Sequence, residues 1–536
     1  MNFDPLEYPY ASRRTVNYSR KGMVATSQPI AAQAGLSILK RGGNAIDAAV
    51  ATAASLTVLE PTSNGIGGDG FAIVWKDGEM HGLNSSGPSP TSLDVGTVKE
   101  QGFEDMPKYG WEPVTVPGAP AGWKSLVERF GDLELEEVLK PAIRYADEGF
   151  PISPITGRYW QLAFDNYKEE IGGEEKFKSW FDTFTQEGRA PKIGEIWRSR
   201  DHARTLKELA ETDCESFYKG ELLEKIVEFS KGTGGYLEES DISEFSPEWV
   251  DPISIDYGGY DVWELPPNGQ GLIALEALKI LDGFNFSSKN SIETYHKQIE
   301  ALKLAFSDGK KAITDPDYMR VKPEELLSDD YIANRRRSIG KNALEPEAGE
   351  PAKGGTVYLA TADKEGNMVS YIQSNYMGFG SGLVVPGTGI ALQNRGHLFS
   401  LNPNHINQLE PGKRTYHTII PGFLTENERP IGPFGVMGGF MQPQGHLQVL
   451  MNCVDFDLNP QAALDAPRWR WEKDKRVHME NKFPEYLGKA LSRRGHHINY
   501  SLHSGSYGRG QIIWKMEDGV YAGGTEPRTD GHIASW

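Results

Sequence analysis

The feature that most constrains this chain is a hairpin pattern that begins on a threonine. Residues 356–362 and 368–374 are both rich in Val, Tyr, Ile and Thr, and Lys-Glu-Gly-Asn forms the turn between them. Runs of this composition around a glycine-containing turn predict two antiparallel strands. Gly354 and Gly355 precede the first run directly. The hairpin therefore starts where the backbone can take conformations that would strain other residues.

The Gly355-Thr356 peptide bond is a candidate for self-cleavage. In a strained peptide the Thr356 hydroxyl can attack the Gly355 carbonyl and form an ester that water then hydrolyses. The new N-terminal threonine would hold its hydroxyl beside its own α-amine, whose ordinary pKa of about 8 suits a general base near neutral pH. The sequence thus predicts a large fragment, 1–355, and a small fragment, 356–536.

A plainer interpretation of the same residues stays open at this point. Gly-Gly-Thr can simply open a strand, and the chain repeats it at Gly523-Gly524-Thr525 before Glu526-Pro527, where we expect a turn and not a hairpin. Only the first copy leads into two strand-like runs. The polar connection over residues 341–353 is expected to be a mobile loop that brings Gly355 and Thr356 into the cleavage geometry.

Composition and charge exclude several classes of function. The 536 residues carry a formal net charge of −18, whereas nucleic acids and anionic membranes are bound through basic patches. Cys214 and Cys453 are too few for a disulfide framework or a cysteine metal site. No run approaches the ~20 apolar residues of a membrane span. The N-terminal residues 1–7 lack the pattern of a secretion signal, so we expect a cytoplasmic protein.

Motifs for other kinds of chemistry are missing or out of context. The stretch 65–70 matches Gly-x-Gly-x-x-Gly, but a helix and Pro61 precede it and a strand follows, the reverse of a dinucleotide-binding unit. Neither Gly-x-Ser-x-Gly nor His-Glu-x-x-His occurs, which disfavours a serine hydrolase and a zinc hydrolase. His296 lies beside an apolar helical stripe and is expected to be partly exposed. We therefore predict no metal site and no cofactor.

Ordered motifs along nearly the whole chain carry a family resemblance. Those before the hairpin are residues 64–68, 116–123, 140–142, 148–150 and 265–267; those after it are residues 379–382, 387–394, 412–414, 438–439 and 525–528. In this order they resemble the γ-glutamyltransferase family of N-terminal nucleophile hydrolases, which includes glutathione hydrolases and a cephalosporin acylase-like branch. The sequence is most similar to that branch.

The resemblance implies a fold and several site residues. It implies an α+β fold, a four-layer αββα sandwich in which the two fragments are interwoven and stay associated. It also allows a dimer of heterodimers. It places Gly438 and Gly439 at the oxyanion hole, where glycine lets backbone N–H groups approach a ligand closely. It places Ser374 beside the nucleophile Thr356.

The residues expected to bind substrate depart from the family pattern. Residues 84–88 contain no arginine, although members of the family usually have one there that binds the α-carboxylate of the glutamyl group. Arg395 and Leu398 replace the groups that bind the α-amino group, and His417 and Thr418 replace paired serines. Arg395 can pair with the carboxylate of a glutaryl-like chain or form a surface ion pair; both interpretations stay open.

These observations predict an N-terminal-threonine amidohydrolase or acyltransferase that acts on γ-glutamyl-type or related acyl amides, either small molecules or peptides. A first alternative is a cephalosporin or glutaryl acylase-like amidase that does not use free γ-glutamyl α-amino acids. A second is a processed but inactive binding protein.

Overall fold

The computed structural model describes residues 9–10, 14–346 and 355–536. The strands are β1 (Asn17–Ser19), β2 (Gly22–Thr26), β3 (Asp69–Lys76), β4 (Glu79–Ser85), β5 (Phe150–Pro151), β6 (Ile196–Trp197), β7 (Glu248–Val250), β8 (Ile253–Tyr257), β9 (Tyr260–Glu264), β10 (Gly355–Asp363), β11 (Met368–Tyr376), β12 (Gly422–Glu426), β13 (Arg429–Met437), β14 (Trp469–Lys473), β15 (Arg476–Glu480), β16 (His497–Ser501), β17 (Arg509–Lys515), β18 (Tyr521–Thr525) and β19 (His532–Ser535). The helices are α1 (Pro29–Lys40), α2 (Ala45–Leu59), α3 (Val95–Glu100), α4 (Ala119–Phe130), α5 (Leu135–Glu148), α6 (Pro154–Glu170), α7 (Lys178–Phe184), α8 (Arg200–Glu211), α9 (Glu215–Lys219), α10 (Glu221–Gly232), α11 (Glu239–Ser243), α12 (Gly271–Asp282), α13 (Ile292–Ala312), α14 (Pro323–Leu326), α15 (Asp329–Arg337), α16 (Met441–Val454), α17 (Pro460–Asp465) and α18 (Glu485–Arg493).

The predicted hairpin forms the centre of a large sheet. Within the described residues this first sheet has seven strands in the order β19-β2-β10-β11-β3-β4-β7, and all its pairs are antiparallel. The side chains of β10 and β11 are buried on both faces, because helix α2 packs on one face and strand β13 packs on the other. This explains why both runs are apolar without strict alternation, a pattern typical of strands covered on both faces.

A second sheet faces the first, and helices cover both outer surfaces. In the described chain its order is β1-β18-β17-β13-β12-β9-β8. Tyr358 and Ile372 from the first sheet meet Phe423 and Ile513 from the second in a shared apolar core. Helices α1 and α2 pack on the first sheet, and α12 and α16 pack on the second. The predicted four-layer αββα sandwich is confirmed.

The alanine-rich helix α2 shows how local sequence fixes this layer. The Asn44 side chain accepts hydrogen bonds from Ile46 N and Asp47 N, and the Asp47 carboxylate accepts one from Asn44 N. This reciprocal capping box satisfies N–H groups that have no partner inside the helix. Every residue of α2 is buried, because small side chains allow close packing against α1, β10 and β11.

Two predictions about glycine-rich stretches have different outcomes. The reversed order around residues 65–70 is confirmed, since α2 precedes the loop and β3 follows it. The turn predicted at Gly523-Gly524-Thr525 is wrong, because these residues lie in β18 and pair with β17. Glycine is needed there because a Cβ at Gly523 would lie 2.5 Å from the Met23 sulfur and one at Gly524 would lie 2.6 Å from Pro460 backbone atoms.

Segments before and after the Gly355-Thr356 bond contribute strands to both sheets. In the first sheet β2, β3, β4 and β7 come from the earlier part of the chain, β11 and β19 come from the later part, and β10 contains the bond itself. In the second sheet β1, β8 and β9 are earlier and β12, β13, β17 and β18 are later. Residues 1–7 and most of the connection 341–353 lie outside the described residues, so the predictions made on them stay predictions. Among the described residues, no helix combines the length and apolarity needed to cross a membrane.

Candidate active site

Thr356 is buried at an irregular start of β10. Gly355 pairs with Tyr376 and Val357 pairs with Gln373, so the register shifts across Thr356. The backbone around Gly355 is tightly enclosed: an added Cβ would lie 3.1 Å from Gly378 N and 3.4 Å from Thr62 O. A glycine at this position therefore fits a closely packed peptide bond without displacing its neighbours.

The Ser374 hydroxyl contacts both sides of that peptide bond. Its oxygen accepts a hydrogen bond from the Thr356 hydroxyl at 3.2 Å and another from the Tyr376 N–H at 2.7 Å. It donates its own proton to the Gly355 carbonyl oxygen at 2.7 Å. A serine hydroxyl offers one donor and two acceptor lone pairs, and all are used here. Ser374 thus polarises the carbonyl that the neighbouring Thr356 hydroxyl would attack.

Gly438 and Gly439 form the turn between β13 and α16. Their φ angles are +138° and +59°, values that favour glycine. Within the described residues neither backbone N–H donates to a protein acceptor, and the turn lies at the N-terminus of the 14-residue helix α16. Free N–H groups at a helix N-terminus attract negative charge. Strand β13 also approaches β10, because a Cβ at Gly435 would lie 2.4 Å from the Tyr358 ring.

Arg395, His417 and Thr418 meet around a buried carboxylate that sequence analysis missed. Asp69 Oδ2 accepts a hydrogen bond from His417 Nε2 at 2.9 Å and lies 3.9 Å from Arg395 Nε. Arg395 Nη1 donates to Thr418 Oγ1 at 2.8 Å. All four side chains are buried, so the surface ion pair considered for Arg395 is wrong. Asp69 could have been noticed in the glycine-rich loop, where it opens β3.

Burial and neighbouring charge set the protonation states in this cluster. Burial holds the pKa of His417 well below its ordinary value, and Arg395 lowers it further; the neutral ring donates from Nε2, and its Nδ1 faces Ile419 N. Burial lowers the pKa of Arg395 to about 10 although Asp69 raises it, so the guanidinium is charged at neutral pH. Burial raises the pKa of Asp69 to about 7, and Arg395 opposes that rise.

Several buried polar atoms of Arg395 and of the last residues of β11 have no hydrogen-bond partner among the described residues. They are Arg395 Nε and Nη2, the Tyr376 hydroxyl and both amide atoms of Asn375. The Arg395 guanidinium carbon lies 4.8 Å from the centre of the Tyr376 ring, and Tyr376 itself has φ +75° and pairs with Gly355. Buried polar groups are normally paired, so this set has the donors to receive a polar ligand group.

Comparison with known proteins agrees with this geometry. The sequence model of the Gamma-glutamyltranspeptidase family matches residues 31–536. The chain belongs to this family. Among curated members it is 36% identical over 530 residues to the glutathione hydrolase-like YwrD proenzyme of Bacillus subtilis, covering 95% of this chain and 98% of that protein. It is 31% identical over 533 residues to the oxamate amidohydrolase proenzyme of Klebsiella pneumoniae, covering 97% and 99%.

A solved structure of a γ-glutamyltranspeptidase relative has the same fold. The crystal structure of cephalosporin acylase from Bacillus halodurans is 62% identical in sequence and superimposes with a TM-score of 0.96, covering 100% of this chain and 99% of that one. The family resemblance and the similarity to its acylase-like branch are thereby confirmed.

Two other positions depart from the γ-glutamyltranspeptidase pattern: Ser86, in the stretch 84–88 that lacks an arginine, and Leu398. Ser86 has polar neighbours, and Leu398 has apolar ones. Ser86 Oγ donates to Asn84 Oδ1 at 2.7 Å, and Asn268 Nδ2 donates to Ser86 Oγ at 3.3 Å. Leu398 is partly buried and packs against the apolar core between the second sheet and its helices. The roles assigned to the site residues remain predictions, but Arg395, His417, Thr418 and Asp69 do form one contiguous cluster.

One group among the described residues has the donors of a metal site, and it lies away from this cluster. His296, Glu300 and His496 offer ligand atoms within 4.8 Å of one another. The predicted partial exposure of His296 is wrong: it is buried, facing His496 at 2.8 Å and the Gly340 carbonyl at 2.9 Å. However, the buried ammonium of Lys303 lies 2.8 Å from Glu300 Oε1 and supplies the positive charge that a metal ion would bring. We assign the group as a buried ion pair with a histidine pair.

Proposed function

We propose that the chain is an autoprocessing amidohydrolase or acyltransferase that uses Thr356 as an N-terminal nucleophile and cleaves γ-glutamyl-type or related acyl amide bonds. The contact that carries this proposal is the Ser374 hydroxyl between the Thr356 hydroxyl and the Gly355 carbonyl. Membership of the γ-glutamyltranspeptidase family and the proenzyme names of two relatives support it.

Self-cleavage would proceed by an acyl shift. Thr356 Oγ1 bonds to the Gly355 carbonyl carbon, the peptide C–N bond breaks, and the hydroxyl proton moves to the nitrogen that becomes the α-amine of Thr356. Ser374 donates to the oxygen on which charge develops. Water then hydrolyses the ester, leaving a carboxylate at Gly355. The products are the fragments 1–355 and 356–536.

Turnover would use the new N-terminus. The α-amine of Thr356 accepts the proton of the Thr356 hydroxyl, and the hydroxyl oxygen attacks the substrate carbonyl carbon. The C–N bond of the substrate then breaks, the α-amine gives the proton to the departing substrate amine, and the acyl group stays on Thr356 as an ester. Water or an acceptor amine releases the acyl group. The N–H groups of Gly438 and Gly439, which donate to no acceptor in the described part of the chain, are suited to bind the oxyanion of both steps.

The acylase-like alternative is favoured by one specific observation: among the described residues, Arg395 Nε and Nη2 make no hydrogen bond, although Asp69 Oδ2 lies 3.9 Å from Nε. A carboxylate at the far end of an acyl chain could accept from both atoms in a charge-assisted pair. A free α-ammonium would instead meet the like charge of the guanidinium. We therefore propose glutaryl-like acyl groups as substrates.

A panel of γ-glutamyl, glutaryl and butyryl anilides tests these proposals. Hydrolysis of at least one anilide, lost in Thr356→Ala, supports the amidohydrolase. A chain that is cut at Thr356 but neither hydrolyses any anilide nor reacts with a nucleophile-directed covalent probe would favour the inactive binding protein.

The proposed cut also has a structural consequence for the two fragments. Because strands from both sides of the cut share each sheet, separating the fragments would expose the edges and apolar faces of both sheets, so we propose that the fragments stay associated. Pairing into a dimer of heterodimers and a cytoplasmic location stay predictions.

A further inference from the structure

A buried glutamine of the large-fragment side, Gln270, lies between the proposed substrate segment and the oxyanion turn. It stands directly before helix α12 and is fully buried. Its backbone N–H donates to the His417 carbonyl at 3.0 Å, and the His417 N–H donates to the Asn268 carbonyl at 2.9 Å. Gln270 is therefore fixed beside residues 416–418 by main-chain bonds, before its side chain is considered.

The Gln270 side chain joins that segment to the turn at Gly439. Its Nε2 donates to the Thr418 carbonyl at 2.6 Å and to the Gly439 carbonyl at 2.9 Å. Its Oε1 accepts from the Tyr416 hydroxyl at 2.8 Å. The network fixes the orientation of the amide, because the opposite orientation would place Oε1 against the two carbonyl oxygens of Thr418 and Gly439.

The Gln270 amide adds a side-chain anchor to the Gly438–Gly439 turn, whose two carbonyls also accept main-chain hydrogen bonds from Met441 N and Gln442 N. Two successive glycines lose more conformational freedom on folding than other residues and have no side chain to hold them. An amide donor on the Gly439 carbonyl fixes the peptide plane that follows the turn. The ring of Phe440, the next residue, is stacked on the Tyr416 ring at 5.7 Å between centroids. Gln270 therefore holds the Gly439 carbonyl, and Tyr416, its hydrogen-bond partner, packs against the residue that follows.

We propose that Gln270 is a positioning residue that orients the Gly438 and Gly439 N–H groups toward the developing oxyanion. This inference rests on the proposed function. It assigns to the large fragment a part in the catalytic geometry of the small one, since Gln270 precedes the cut and residues 416, 418 and 439 follow it. Self-cleavage does not depend on Gln270, because there Ser374 donates to the Gly355 carbonyl.

Gln270→Glu tests the proposal, because it keeps the shape and removes the paired amide donors. Gln448→Glu is a matched control: Gln448 Nε2 also donates to two buried carbonyls, those of Gln444 and Trp469 at 2.9 Å each, without contacting the turn. With p-nitrophenyl acetate as substrate, we expect Gln270→Glu to cleave itself normally, keep KM within about threefold and lose about 10- to 100-fold in kcat. Gln448→Glu should keep its kcat.

Tyr416→Phe gives a second test if Gln270→Glu does not fold. It removes the hydroxyl that holds Gln270 Oε1 but keeps the ring against Phe440. We expect kcat to fall about three- to tenfold with KM unchanged, and no further fall when it is combined with a folded Gln270→Glu.

The outcomes separate this inference from the proposed function. If the wild type is neither acetylated at Thr356 nor able to hydrolyse any anilide of the panel, the proposed function fails, and the inference fails with it. If the wild type is acetylated while Gln270→Glu and Tyr416→Phe both keep their kcat, or if Gln448→Glu loses as much as Gln270→Glu, only the role of Gln270 is overturned.

Discussion

The side-chain oxygens of Thr356 and Ser374 lie 3.2 Å apart at the two ends of one hairpin. The pairing of β10 with β11 brings them together, and the shift in register at Thr356 lets Ser374 also donate to the Gly355 carbonyl at 2.7 Å. One hydroxyl thus contacts the proposed nucleophile and the carbonyl that it would attack.

Ser374→Ala is expected to slow self-cleavage. The substitution removes the donor to the Gly355 carbonyl, so the developing negative charge loses a preorganised hydrogen bond, and we expect the cleavage rate to fall about 10- to 100-fold. The ratio of intact chain to fragments, followed over time on denaturing gels, measures this rate.

Ser370→Ala is the matched control for that variant. Ser370 is buried on the same strand, but its hydroxyl bonds the Tyr358 hydroxyl at 2.8 Å. It should cleave like the wild type. Equal rates in Ser374→Ala and Ser370→Ala would remove Ser374 from the mechanism.

Arg395 is expected to set the preference for acyl groups. We expect the wild type to hydrolyse glutaryl anilide with a kcat/KM at least comparable to that of γ-glutamyl anilide. Arg395→Gln, which avoids placing a second carboxylate beside Asp69, should lower kcat/KM for glutaryl anilide about 10- to 100-fold, the effect of losing a charge-assisted pair of about 1.5–3 kcal/mol.

Butyryl anilide is the control substrate, since it lacks the carboxylate and its kcat/KM should change less than about threefold. Arg395→Glu should shift the preference toward γ-glutamyl anilide. A wild type that strongly prefers γ-glutamyl anilide, with the same preference in both variants, would show that Arg395 does not face the substrate.

His202 is expected to make the protein less stable in acid. Burial lowers its pKa from 6.5 to about 4, so between these values the unfolded chain binds a proton that the folded chain does not. Its contribution is complete above pH 6.5 and is lost as the pH falls toward 4, by roughly 3 kcal/mol in total. Urea unfolding of the wild type and of His202→Gln at pH 7 and pH 4.5 measures the difference. Equal losses of stability in the two proteins on acidification would contradict the assignment.

Local patterns predicted the elements well because their causes lie within a few residues. The hairpin and the helix-loop-strand order around residues 65–70 follow from composition and turn residues. The family resemblance supplied the four layers. The prediction of a turn at residues 523–525 was wrong because these residues pair with β17, a distant segment that local sequence does not reveal. The two glycines are small because neighbouring atoms leave no room for a Cβ, and not because the chain turns there.

The environment of the site could not be predicted from the sequence, because distant segments create it. Asp69 and His417 are 348 positions apart, and Gln270 and Gly439 are 169 positions apart. No local pattern links such pairs. The burial of His296 was missed for the same reason, since His496 covers it from the other end of the chain.

The central claim is that Thr356 serves as the nucleophile in both self-cleavage and turnover. Mass spectrometry of the purified protein after reaction with p-nitrophenyl acetate tests both at once. We expect the two fragments 1–355 and 356–536. The N-terminal sequence of the smaller one should begin Thr-Val-Tyr-Leu, and its Thr356 should carry an acetyl group. Thr356→Ala should remain intact and unlabelled, and Thr356→Ser should keep part of both reactions. An intact wild-type chain that still hydrolyses anilides, or a Thr356→Ala variant as active as the wild type, would contradict the account.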